Sequence, residues 1–66
     1  MKYTVIELQN GVVGSNVWTY DALEDAESKY HSILAVAAKS SVAVHAAVIL
    51  NDTGFSIRNQ CYTHDN

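Results

Sequence analysis

The sequence predicts an α+β fold, a small ββαββ (or βαββ) unit with one amphipathic helix on an antiparallel-rich sheet. Three observations predict it. Apolar residues recur at helical spacing from Leu23 to Ala37. Segments alternating with a period of two lie on either side of that stretch, at 3–8 and 55–63. Two turn signals, Asn10-Gly11 and Asn51-Asp52-Thr53-Gly54, stand where hairpins would close. The 66 residues make a single domain, 1–66, with no room for a second core.

The first strand spans 3–8, with Thr4, Ile6 and Leu8 on one face and Tyr3, Val5 and Glu7 on the other. Asn10-Gly11 suits a type I′ turn because both residues tolerate positive φ. Gly14-Ser15-Asn16 interrupts the return, so Val12-Val13 and 17–20 form two short pieces, the second pairing with the first strand. Asp21 is the expected N-cap of the helix, with Glu24 three residues on as in a capping box. Leu23, Ala26, Tyr30, Ile33, Leu34 and Ala37 form the stripe to be buried, and Asp25 can pair with Lys29 at i,i+4. Ser40-Ser41 ends the helix without glycine.

Residues 42–50 read as the longest strand, apolar on both faces and hence covered on both sides. Val42, Val44, Ala46, Val48 and Leu50 share one face, and Ala43, His45, Ala47 and Ile49 the other. One helix covers one face. The small, flat Ala43/His45/Ala47/Ile49 face, together with Val36 in the all-apolar Ala35–Ala38 end of the helix, is the expected contact with a second copy. In the last strand Phe55, Ile57 and Cys61 should point inward, with Ser56, Arg58, Gln60 and Tyr62 pointing out, and 64–66 should fray.

A chain this short buries only about 60% of the surface its unfolded form exposes, so it needs a staple. A lone Cys61 makes no internal disulfide, and no Cys or His pair has zinc-ligand spacing. Self-association is the staple left, and an apolar fraction of 48% favours it; the chain is expected to be a homo-oligomer, a dimer or higher. A net charge of −3 with four scattered cations argues against nucleic acid as a partner. No stretch approaches the ~18 apolar residues of a membrane span. The opening residues lack an export signal, and a lone cysteine fits a reducing setting, so a cytoplasmic location is expected.

The chemistry-bearing residues do not assemble into a catalytic set. Cys61 with His31, His45 or His64 could form a thiolate–imidazole pair, but nothing local activates the thiol, and a small buried hydrophobe is the plainer reading. Asp21, Glu24, Asp25 and Glu27 complement a helix start. His45, among alanines and valines, reads as a half-buried histidine or a ligand-contacting or pH-sensing group. Trp18 and Tyr20 share a face of one strand, and Arg58 and Tyr62 a face of another. Aromatics beside a guanidinium stack planar ligands or anchor interfaces. Trp18, Tyr20, Arg58, Tyr62 and His45 are therefore the candidate ligand or partner contacts, with no catalytic residue, metal or cofactor expected.

Lys2-Tyr3-Thr4-Val5-Ile6-Glu7, Ala26-Glu27-Ser28-Lys29-Tyr30 and His45-Ala46-Ala47-Val48-Ile49-Leu50, leading to the Gly54 turn, resemble a group of short proteins of phages, prophages and other mobile elements of Gram-positive gut bacteria. The resemblance covers most of the chain, and its motifs are structural. It implies a setting, the host bacterial cytoplasm, and a non-catalytic binding role. The group itself supplies no activity to carry over. Small phage-borne proteins often work by binding, and among them are antagonists of antiphage defence that block a host protein or sequester a small nucleotide-like signalling ligand. That is the role the resemblance implies. Two other readings stand beside it: a homo-oligomer whose assembly is its function, and a small enzyme or cofactor binder at a subunit interface.

Overall fold

The structure, a computed structural model, describes residues 2–64. Its elements are β1 (Tyr3–Gln9), β2 (Val17–Tyr20), α1 (Leu23–Ala37), β3 (Val44–Leu50) and β4 (Ser56–Thr63). The strands form one sheet in the order β2-β1-β3-β4, every neighbouring pair antiparallel. The ββαββ order is thus the one the alternation and turn signals predict. Because β3 inserts beside β1, α1 must carry the chain from the β2 edge back across the sheet, and it packs on β3, β1 and β2.

The turns form for the reasons their residues suggest. Asn10 and Gly11 both take positive φ, 55° and 81°, and Gln9 and Val12 exchange backbone hydrogen bonds across them. The return then breaks. Gly14, also at positive φ, starts the detour that delays renewed pairing until Ile6 meets Val17. In the β3–β4 turn, Asn51 Oδ1 accepts from the Thr53 and Phe55 amides, and Gly54 closes the loop at φ 88°.

The helix starts one residue later than the capping signal suggests. Ala22 occupies the N-cap, with extended backbone and no side-chain cap. Asp21 pairs instead with the Lys2 ammonium, whose hydrogen bond and charge hold its carboxyl below the ordinary range. At the other end His64 replaces the missing glycine. Its Nε2–H donates to the Ala37 carbonyl at 2.8 Å, and its amide donates to Ala43. His64 is therefore tied down rather than frayed, while Asp65 and Asn66 lie outside the described residues.

Val5, Ala26, Tyr30, Ile33, Ala47 and Ile49 form the core, with Tyr3, Trp18, Tyr20 and Leu34 packed against it. This corrects the expected oligomer surface. His45, Ala47 and Ile49 are buried beneath the chain's own helix, Ala43 lies exposed before β3, and Val36 is exposed on the helix's outer side. Small side chains explain it. Ala26 and Ala37 on the helix and Ala47 on the strand let α1 come close, so the flat face receives the helix. The strand also begins at Val44 rather than Val42, and β4 exceeds it by a residue.

The last strand is out of phase with its prediction. Ile49 pairs with Arg58 but Leu50 pairs with Ser56, which leaves Ile57 as an extra residue in a bulge. Arg58, Gln60 and Tyr62 consequently share the helix side, while Phe55, Ile57 and Cys61 are exposed.

Burial raises the Tyr30 hydroxyl's pKa, an effect the nearby Arg58 opposes and Tyr62 reinforces. The folded chain thus favours the neutral phenol. Its contribution to stability is full below the unfolded value of about 10 and is lost as pH rises through the raised folded value. Denaturant midpoints for the wild type should therefore fall more steeply above about pH 10 than those of Tyr30→Phe. Parallel curves would exclude Tyr30 as the cause.

Candidate functional site

Three features stand out, and the first is a buried polar chain. Gln9 aligns with His45 and Glu7 with Ala47, so the β1–β3 register brings the Glu7 and His45 side chains together on the helix side. The His45 Nε2–H donates to Glu7 Oε2 at 2.6 Å. In the neutral ring Nδ1 then accepts from the Ser40 hydroxyl at 2.9 Å, and Ser40 Oγ also accepts from the Val42 amide. Both ring nitrogens are engaged, and the ring is buried rather than half-buried as its sequence context suggests. Hydroxyl, imidazole and carboxylate in series is the order that activates a serine nucleophile. Here the imidazole is 2% exposed, and its bonds join β1, β3 and the helix-to-strand turn.

The second feature is a shallow depression of about 380 Å³, formed where α1 leans over the β2 edge. Tyr20, Asp25, Ser28, Lys29 and Ser32 line it. Ser28 and Ser32 share a helix face at i,i+4, as do Asp25 and Lys29, so one polar strip of α1 meets one aromatic of β2. Beside it the Lys29 ammonium sits 4.0 Å from the centroid of the Trp18 ring. Lys29 thus serves Trp18 rather than simply bridging to Asp25.

Trp18 and Tyr20 are half-buried, both packed against the core; Tyr20 lines the depression and Trp18 stands beside it. Arg58 and Tyr62 are elsewhere. They lie on β4, the opposite sheet edge, about three strand spacings or ~14 Å away. The Arg58 Nε–H donates to Glu27 Oε2 at 3.1 Å, and Tyr62 stands opposite His45. One chain therefore does not combine the two aromatic sets. Sequence reasoning missed the lining residues Asp25, Ser28, Lys29 and Ser32, whose signal was a polar strip at i,i+3/i+4 directly beside the buried stripe. It also missed Glu7 and Ser40 as partners of His45.

The third feature is the sheet face away from α1. The register sets its residues in cross-strand rows: Val17, Ile6, Val48 and Asn59 in one, and Leu8, Ala46 and Cys61 in the next. Thr19, Thr4 and Leu50 flank the first row. Ile6, Leu8, Val48 and Leu50 are only half-buried, and Val17 and Val44 are exposed. No strand position on this face carries a charge. Among the described residues no cluster of three or more His, Cys, Asp or Glu could hold a metal, and no helix is long and apolar enough to cross a membrane.

No protein-family model, curated protein or solved structure matches this chain.

Proposed function

We propose that the chain is a non-catalytic binding protein that takes a small, polar, nucleotide-like ligand in the depression between α1 and β2. The observation that carries this reading is the lining itself. One aromatic face, hydroxyls on Tyr20, Ser28 and Ser32, an ammonium and a carboxylate converge on a volume typical of small-molecule sites. A planar base stacks on Tyr20, the serine hydroxyls bond sugar or base edges, and Lys29 with its Trp18 neighbour meets a phosphate. The non-catalytic part is supported by the burial of the Ser40–His45–Glu7 chain, whose imidazole is only 2% exposed and so is closed to a substrate. Sequestration of a signalling nucleotide in a bacterial host cytoplasm is the setting this chemistry and the phage-type resemblance fit.

Thermal-shift and calorimetric titrations with mononucleotides and cyclic and linear dinucleotides test it. At least one should stabilise the chain, and Tyr20→Ala should weaken that ligand about 10- to 100-fold by removing a base-stacking platform. Lys29→Ala should weaken phosphorylated ligands more than their nucleosides. A panel without any stabilising compound, or affinities indifferent to Tyr20, would overturn the reading.

A further inference from the structure

We infer that the uncovered sheet face seats a second copy of this chain, giving a two-fold dimer of stacked sheets with the helices outside. The inference does not depend on the ligand reading, since the depression lies on the helix side.

Chemistry comes first. The face has an apolar middle of Ile6, Leu8, Ala46 and Val48, with threonines and Asn59 toward its margins, the layout of an interface core and rim. Half-exposed β-branched and leucine side chains in one contiguous patch are costly to leave in water. A chain of net charge −3 repels its own copies unless they meet on neutral ground. This face provides that ground. Glu7 and Arg58 are turned to the helix side, where His45 and Glu27 pair with them. Lys2 and Asp21, which continue the β1–β2 register at the face's corner, neutralise each other. An uncharged, self-complementary patch suits an isologous contact, in which both copies use the same patch and each contact between two residues occurs twice about the axis.

Area comes second. Four strands spaced ~4.8 Å, three of them seven or eight residues long and β2 four, present a footprint of roughly 400 Å², and a pleated surface exposes more than its projection. Two such faces bury on the order of 1,000 Å² in all, about the least that a specific interface needs. Sheets of this size stack ~10 Å apart with their inner side chains interdigitated. Edge-to-edge association is the competing route, and both edges hinder it. β2 is only four residues long and follows an irregular detour, and β4 carries the Ile57 bulge.

Sedimentation velocity and light scattering on the full chain over a wide concentration range decide the matter. The wild type should reach twice the chain mass. Val48→Lys, at the middle of the face, should weaken association more than ~100-fold because the dimer would desolvate two ammonium groups. Val36→Lys, on the helix's outer side, should leave it unchanged. Near-ultraviolet dichroism of Trp18, which is on the opposite face, reports whether each variant keeps its fold.

A second measurement needs no substitution. Cys61 is exposed in the single chain and stands on this face opposite Ala46, so its alkylation by iodoacetamide should slow as protein concentration rises. A wild type that stays monomeric with concentration-independent alkylation would overturn the inference, leaving the face to another occupant. Dimers that survive Val48→Lys, or that Val36→Lys dissociates, would overturn it as well by placing the contact elsewhere.

Discussion

Ile49→Ala should remove about 3–4 kcal/mol of folding stability, the larger part of what a domain of this size holds. Ile49 is fully buried at the centre of the sheet, where it meets Val5 across the β1–β3 pair and the α1 core residues. Truncation loses the transfer free energy of three carbons and leaves a cavity that a strand fixed on both sides cannot close. Ile57→Ala provides the comparison. That isoleucine is 38% exposed in the bulge, and its loss should cost less than about 1 kcal/mol. Urea midpoints followed by circular dichroism, at matched protein concentration so that any association contributes equally, measure both. Equal losses at the two positions would mean the bulge and the phase it imposes are wrong.

That pair of isoleucines also shows where sequence reasoning stops. Residues 55–63 alternate cleanly enough to identify a strand, and 3–8 and 17–20 do the same. Alternation sets the relative phase within an uninterrupted strand only. One extra residue at Ile57 reverses the phase, and no residue in Phe55-Ser56-Ile57-Arg58 announces a bulge by being glycine or by breaking the β pattern.

In β3 the difficulty was different. Both faces are apolar, so periodicity distinguishes a covered strand from a half-wet one but cannot say which face the helix takes. The deciding facts were complementary sizes across space: Ala47 on the strand against Ala26 and Ala37 on a helix that the chain places there only once β3 inserts beside β1. By contrast, the helix stripe, the Asn10-Gly11 turn and the Asn51–Gly54 turn each rest on residues within one turn or a few helical turns, and all three formed, with Leu23 and Leu34 of the stripe only half-buried.

The candidate contacts divide along the same line. Trp18 and Tyr20 lie two residues apart on one strand, so their shared face was legible, and the structure adds the helix flank that makes a depression beside them. Their distance from Arg58 and Tyr62 depends on strand order, and order 2-1-3-4 puts the two sets at opposite edges. The link between Glu7 and His45 spans 38 positions. A lone glutamate at the inward phase of the first strand and a lone histidine at the inward phase of the third were the available signals. Each is anomalous in an apolar strand, and the two anomalies satisfy each other.

That pairing makes the second large prediction, and a sharper one than truncation. His45→Leu should destabilise the chain by about 2–4 kcal/mol, less than the 3–5 kcal/mol for breaking a fully buried pair because Glu7 keeps 14% of its side-chain surface in water. The loss arises less from the missing bond than from the carboxylate left behind beneath α1, with only the long 3.4 Å contact from Gln9 to replace the 2.6 Å one from His45. Adding Glu7→Leu to His45→Leu should therefore restore a substantial part of the stability, because an apolar pair in the same space has no desolvated charge to satisfy. Ser40→Ala should cost about 1 kcal/mol by comparison, since it removes a neutral hydrogen bond and the support of the Val42 amide. Chemical denaturation of the four members of the Glu7/His45 cycle gives the coupling directly. If the double variant is less stable than His45→Leu alone, the two side chains are not partners in a buried chain, and the β1–β3 register that brings them together has to be redrawn.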